Sequence, residues 1–215
     1  MLDSNEDVRV IDVRDEPHGL GAKNRRRYYR GARKAKGVCF HHTGVHGGFG
    51  THRSVRRLYD GDAPDVKARA LGHRYRGMPR HLNKKGAQPY HAIWNEYVQA
   101  MYYVHPFDRM TWHGNGANRE FLGFAWDARS GKVGDDFDLS GAQNAVRRLV
   151  LDALAEGHPI REFTCHCAWT NKPSDPGAQF IELVIEPLAA ELQVEIDWEF
   201  KRRGGRSMAE ILANV

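Results

Sequence analysis

Apolar residues recur along this chain in two periods, a period near two and a period near 3.6, and the segments that carry them interleave. Val8 to Val13 alternates apolar with charged residues and predicts a short strand. Val38, Cys39 and Phe40, behind Gly37, form an apolar run that predicts a buried strand, closed by His41, His42 and the turn signal Thr43-Gly44. Pro89 to Trp94 and Tyr97 to Val104 read as the two strands of a hairpin. Asn118 to Ala125 leads into another strand, with Phe121, Leu122 and Phe124 around Gly123. Arg161 to Ala168 reads as a strand with His166 near its end.

The helical period is clearest in Ser140 to Glu156. Ala142, Ala145, Val146, Leu149, Val150, Ala153 and Leu154 share one face, Ser140 and Gln143 fit a capping box, and Gly157 is the stop. Pro176 to Leu192 predicts a second amphipathic helix, and Thr51 to Tyr59 and Pro64 to Tyr75 two weaker ones. Gly77 to Pro89 is polar and irregular, a candidate groove wall. Gln193 to Val215 is charged, with a short strand and a final helix over Ser207 to Ala213. Strands alternating with helices predict an α/β layer structure. No internal repeat or low-complexity linker divides it, so the expectation is a single domain over 36–192. Residues 1–35 precede it as an extension, and 193–215 form a tail packed on the same domain.

Composition agrees with this picture. At 215 residues with 41% apolar, the chain can bury one core. No apolar run approaches membrane-spanning length. The acidic, polar start MLDSNEDVRVIDVRDE has no apolar signal region, which predicts synthesis in the cytoplasm without a secretory leader. Cys39, Cys165 and Cys167 all fall in predicted strands and read as buried free thiols. Charge changes the picture more. The net +5 is concentrated in Lys23 to Lys36, where eight basic residues and two tyrosines occur without an acid. Such an arm favours anionic partners, nucleic acid among them, although a solvated arm is the ordinary reading. Val45 to Gly50 is glycine-rich but lacks the phosphate-loop spacing, so no nucleotide is attached to it.

Candidate chemistry gathers at two strand ends. Successive strand side chains point to opposite faces, so only one of His41 and His42 can look into a site on a given face. His42 is in phase with Val38 and Phe40, and His41 with Cys39 and Thr43. His166 and Asp175 stand nine residues apart across a turn-forming segment with two prolines, short enough to fold back on itself. Two histidines and a carboxylate with an open position is the pattern of a catalytic zinc. Asp175 before Pro176-Gly177 is equally a helix cap. Cys165 and Cys167, flanking His166, would face away from it in a strand.

Four blocks in order, CFHHTG, PYHAIW, WHGNGANREFLGF and CHCAWTNKPSDPG, give the chain a family resemblance. It resembles the zinc-dependent N-acetylmuramoyl-L-alanine amidases, which share a fold with phage amidase lysozymes and peptidoglycan recognition proteins. The resemblance implies a central mixed β-sheet with helices on both sides, residues 36–192 being the amidase domain. It implies one zinc ion on His42, His166 and Asp175. Tyr90 would act at the reacting centre, and His113 and Asn118 would lie at the substrate groove, with a loop-bracing role the alternative for His113. Lys172 would stabilise the oxyanion, although it lies three residues before Asp175 where the family places its lysine two before. One branch carries a glutamate as general base where this chain has Ala125, so its mechanism should resemble the phage lysozyme branch.

The implied activity is cleavage between N-acetylmuramic acid and the L-alanine of the stem peptide, by a phage or prophage endolysin reaching the wall after release or export. The basic arm would then dock on anionic wall polymers. A silent peptidoglycan-binding module is the alternative, against which the presence of Asp175 counts. Nucleic-acid binding is supported by the arm alone.

Overall fold

The computed structural model describes residues 8–12, 14, 34–42, 90–95, 99–111, 113–126, 139–170 and 175–197. Among these residues seven strands make one mixed sheet: β1 (Arg9–Asp12), β2 (Gly37–His42), β3 (Ala92–Asn95), β4 (Ala100–Tyr103), β5 (Phe121–Trp126), β6 (Glu162–Cys165) and β7 (Glu195–Ile196). Their spatial order is β1-β4-β3-β5-β2-β6-β7. Among the described residues only the β3–β4 hairpin is antiparallel, so β2, β3, β5, β6 and β7 run one way and β1 and β4 the other. The 1–35 extension and the 193–215 tail each contribute an edge strand, β1 and β7, to this sheet.

Strand alternation divides the sheet into two unlike faces. Val38 and Phe40 of β2, Ala92 and Trp94 of β3, Met101 and Tyr103 of β4, Leu122, Phe124 and Trp126 of β5, and Phe163 and Cys165 of β6 point to one side. There they meet α1 (Leu139–Ala155) through Ala142, Ala145, Val146, Leu149, Val150 and Ala153. Phe180, Ile181, Val184, Ile185 and Leu188 close the same core. Phe40 meets Phe163 edge-on at 5.0 Å, and Trp126 stacks on Phe180 at 4.6 Å. Each such ring contributes roughly 1.5–3 kcal/mol by leaving water. The opposite face carries smaller and polar side chains, Cys39 and His41 of β2 among them, with a satellite cluster of Cys39, Ala117 and Phe121 under Trp169.

Most expected elements occur where the apolar pattern puts them. The strand expected over Arg161 to Ala168 is shorter: it ends at Cys165, and His166–Trp169 form one helical turn, α2. A tertiary bond explains the turn, because the Cys167 N–H donates to the Asp175 carbonyl at 2.9 Å and draws the chain back on itself. The helix expected from Pro176 starts later. It runs as α3 (Ala178–Phe180), a π-helical stretch (Ile181–Ile185) and α4 (Glu186–Leu192). Among the described residues the long helices pack on one face of the sheet; the other carries α2 and a 3-10 turn, Asn115–Arg119. The helices expected over 51–59, 64–75 and 207–213 lie outside the described residues, as do the basic arm from 23 to 33 and the 77–89 segment.

Candidate metal centre

Two neighbouring parallel strands bring the centre together. Phe40 of β2 pairs with Cys165 of β6. The next residues along, His41 and His166, therefore emerge side by side where β6 ends, their rings 4.5 Å apart. Asp175 returns to the same point. Its Oδ2 accepts a hydrogen bond from His166 Nδ1 at 2.6 Å, and its Oδ1 accepts the backbone N–H of His42 at 2.8 Å. One carboxylate thus ties the return loop to both strand ends. Asp175 is not the cap of the following helix, whose N-cap position is Gly177.

His41, His166 and Asp175, all buried, each offer a ligand atom within 4.8 Å of the others. Cys39, His41 and His113 form a second such group that shares His41. Gly114 lies over the first group: a Cβ there would stand 3.3 Å from His166 Cδ2 and 3.7 Å from His41 Cε1.

The structure brings His166 and Asp175 together as expected, but sets His41 beside them where the resemblance selects His42. His42 belongs to neither group. The reason is strand alternation: His42 follows the parity of Val38 and Phe40 and turns its ring to the helix-covered side. Both of its ring nitrogens are buried there without a hydrogen-bond partner. Only its backbone reaches the centre, through the bond to Asp175. The parity that separates His41 from His42 is readable in the sequence. The bulky apolar residues of β2 mark the core parity, and His41 stands in the other.

Tyr90 stands over the centre, its ring 5.0 Å from that of His41. Desolvation, and then the nearby Asp175 carboxylate, push its hydroxyl well above the ordinary phenol value, so it is held protonated as a donor. Burial, then Asp175 and Cys167, likewise raise Cys39 and keep it a thiol. A hydrogen bond to Cys167, with burial, holds Cys165 up. Cys165 and Cys167 both belong to the main core cluster, and neither is in a ligand group.

His113 and Asn118 are buried braces of the loop. Asn118 Oδ1 accepts the Gly114 N–H at 2.7 Å, and His113 Nδ1 lies 3.0 Å from His41 Nε2. Ala125 stands directly across from His41 in the β2–β5 register and brings no carboxylate to it. Lys172 lies outside the described residues. Sequence reasoning passed over His91. It is fully buried, accepting the Gly123 N–H on Nδ1 at 2.8 Å and donating from Nε2 to the Arg109 carbonyl at 2.6 Å.

No family model matches the chain, and no curated protein matches it. Solved structures do. The bumblebee peptidoglycan recognition protein SA superposes with a TM-score of 0.55 at 17% identity, over 83% of this chain and 94% of that one. The endolysin N-acetylmuramoyl-L-alanine amidase LysCS from Clostridium intestinale matches at a TM-score of 0.45 and 16% identity, over 75% and 85%. The Ph2119 endolysin from a Thermus scotoductus bacteriophage gives 0.42 and 17%, over 83% and 97%. The superposition on the bumblebee protein carries the structural conclusion: this chain has the peptidoglycan recognition protein fold, a single α/β domain around a mixed seven-stranded sheet.

Proposed function

We propose that the chain is a zinc-dependent peptidoglycan amidase, cleaving between N-acetylmuramic acid and the L-alanine of the stem peptide, with the metal on His41, His166 and Asp175. The carrying observation is the convergence of these three side chains, each with a ligand atom within 4.8 Å of the others. Two imidazoles and one carboxylate are the donor set of a catalytic rather than a structural zinc, which usually closes with four protein ligands. When bound, the metal supplies Lewis-acid polarisation of the scissile carbonyl.

The chain's own residues do the rest. Asp175 holds the His166 ring through Nδ1 and neutralises part of the cation's charge. Tyr90, kept protonated beside the centre, is placed to donate a hydrogen bond to the oxygen that gains charge as the amide carbonyl is attacked. Lys172 is the second candidate for that task. Ala125 offers no general base, so proton transfer falls to the remaining groups. His113 and Asn118 support the loop over the ligands, behind any groove.

The same reading makes the protein a phage or prophage endolysin that meets the wall after release, with Lys23 to Lys36 docking on anionic wall polymers. A silent binding module is the competing reading, and the complete ligand group counts against it. The deciding experiment pairs the zinc content of the purified protein with loss of turbidity of cell walls. Stoichiometric zinc with wall lysis that a chelator abolishes supports the amidase. Peptidoglycan binding with neither zinc nor lysis refutes it.

A further inference from the structure

We infer that His113 is a positioning residue that sets the tautomer of His41, so that His41 presents Nδ1 and not Nε2 to the metal centre. The inference rests on reading His41 as a metal ligand. It starts from a backbone carbonyl. His113 Nε2 lies 3.2 Å from the Phe121 oxygen, and a carbonyl only accepts, so Nε2 carries the proton. In the neutral ring the other nitrogen, Nδ1, is then a lone-pair acceptor. That nitrogen lies 3.0 Å from His41 Nε2, which must therefore donate to it. The lone pair of His41 is left on Nδ1. A ligating histidine is commonly fixed in this way, by the bond its other nitrogen makes. Here the support is a two-step relay that ends on β5.

The relay is clamped from both sides. Gly123 lies flat against the His113 ring: a Cβ there would stand 2.8 Å from Cγ and 3.1 Å from Cβ and Cδ2 of His113. A methyl group at 123 would have to push the ring away. His91 fixes the backbone beneath, taking the Gly123 N–H on Nδ1 and holding the Arg109 carbonyl through Nε2. The second ligand group, Cys39, His41 and His113, is the competing use of these atoms. A metal there would have to displace the His41–His113 hydrogen bond.

The test reads the tautomer directly. The full-length, 15N-labelled chain is stripped of metal, and long-range proton–nitrogen correlation spectra report which nitrogen of His41 is protonated, with His41→Gln as the assignment control. The expected result is a proton on Nε2. His113→Asn keeps an acceptor near the position of Nδ1 and should preserve both the tautomer and the zinc Kd. His113→Leu removes it, and should give a mixture of tautomers with zinc binding weakened by about 10–100-fold. Gly123→Ala should move both readouts in the same direction as Leu. If His113→Leu does not fold, the wild-type tautomer and Gly123→Ala decide.

A proton on Nδ1 of His41 in the wild type overturns the inference. So does an unchanged tautomer and Kd in His113→Leu, or an Asn variant no better than Leu. A wild type with the Nε2 proton that takes up no zinc would support the relay and refute the metal reading alone.

Discussion

Replacing each member of the histidine pair separately tests the strand-alternation argument at its most exposed point. His41→Ala removes a side chain that stands 4.5 Å from the His166 ring and belongs to both candidate ligand groups. Structural zinc sites with four ligands bind with roughly 10–16 kcal/mol, so one ligand is worth about 2.5–4 kcal/mol. At 1.4 kcal/mol per decade, His41→Ala should weaken zinc binding by about 10²–10³-fold. His42→Ala removes a ring on the helix side and leaves intact the backbone N–H that bonds Asp175. It also removes two buried ring nitrogens that find no hydrogen-bond partner, so the lost packing is partly offset. Its zinc Kd should stay close to wild type. The assay is a competition titration against a chelator of known affinity, with circular dichroism to show that both variants fold. A His41→Ala protein with wild-type affinity, beside a His42→Ala protein that has lost its zinc, would refute the assignment and the parity argument beneath it.

Further expectations concern rate, docking and stability. Tyr90→Phe should keep its zinc and its fold but lose about 10²–10³ in kcat if the hydroxyl serves the developing oxyanion; a wild-type kcat would remove Tyr90 from the mechanism. Charge reversal at several positions from Lys23 to Lys36 should weaken wall binding at low salt and spare a small soluble muropeptide. The difference should vanish at 1 M salt, where the Debye length is about 3 Å, and an equal loss on both substrates would reject docking. Arg147 holds the Glu191 carboxyl below its ordinary value through a two-pronged ion pair at 2.7 Å. A depressed carboxyl stabilises the fold above its unfolded pKa, and that share is lost as pH falls through the folded value. The pair is partly exposed, so the share is about 0.3–1 kcal/mol. The Tm gap between wild type and Arg147→Ala should therefore be present at pH 7 and close in acid, and a gap that persists in acid would assign the effect to packing.

The elements with sustained apolar periodicity were legible in the sequence. β2, the β3–β4 hairpin, β5 and α1 fall where the pattern predicts, because each buries one face against the same core. The one-turn helix His166–Trp169 was not legible. Four residues carry no period, and the turn depends on a bond from Cys167 to a carbonyl eight positions away. The two roles open to Asp175 could not be separated either, since the choice between capping a helix and bridging two strands depends on where β2 lies. His113 and Asn118 look alike in sequence whether they line a groove or brace a loop; only the positions of Phe121, Gly114 and His41 show the bracing. His41 is a different case. Its parity, opposite to that of Val38 and Phe40, is readable in the sequence, whereas the family resemblance points to His42 beside Thr43.

That outcome has a physical cause. On β2 the bulky side chains Val38 and Phe40 go to the helix side, and the other face of the central strands carries the small or polar Cys39, Gly123, Ala125 and Thr164 beside the larger Ile93 and Phe121. The small residues are what permit the centre. Gly123 lets the His113 ring lie against β5, and Ala125 leaves room across from His41. A side chain at position 123 would need the volume now occupied by the His113 imidazole. The asymmetry therefore both builds the core and places the histidines. In a chain whose motif offers two adjacent candidates at a strand end, the one out of phase with the bulky residues of its own strand is the one that can reach a centre on the open face.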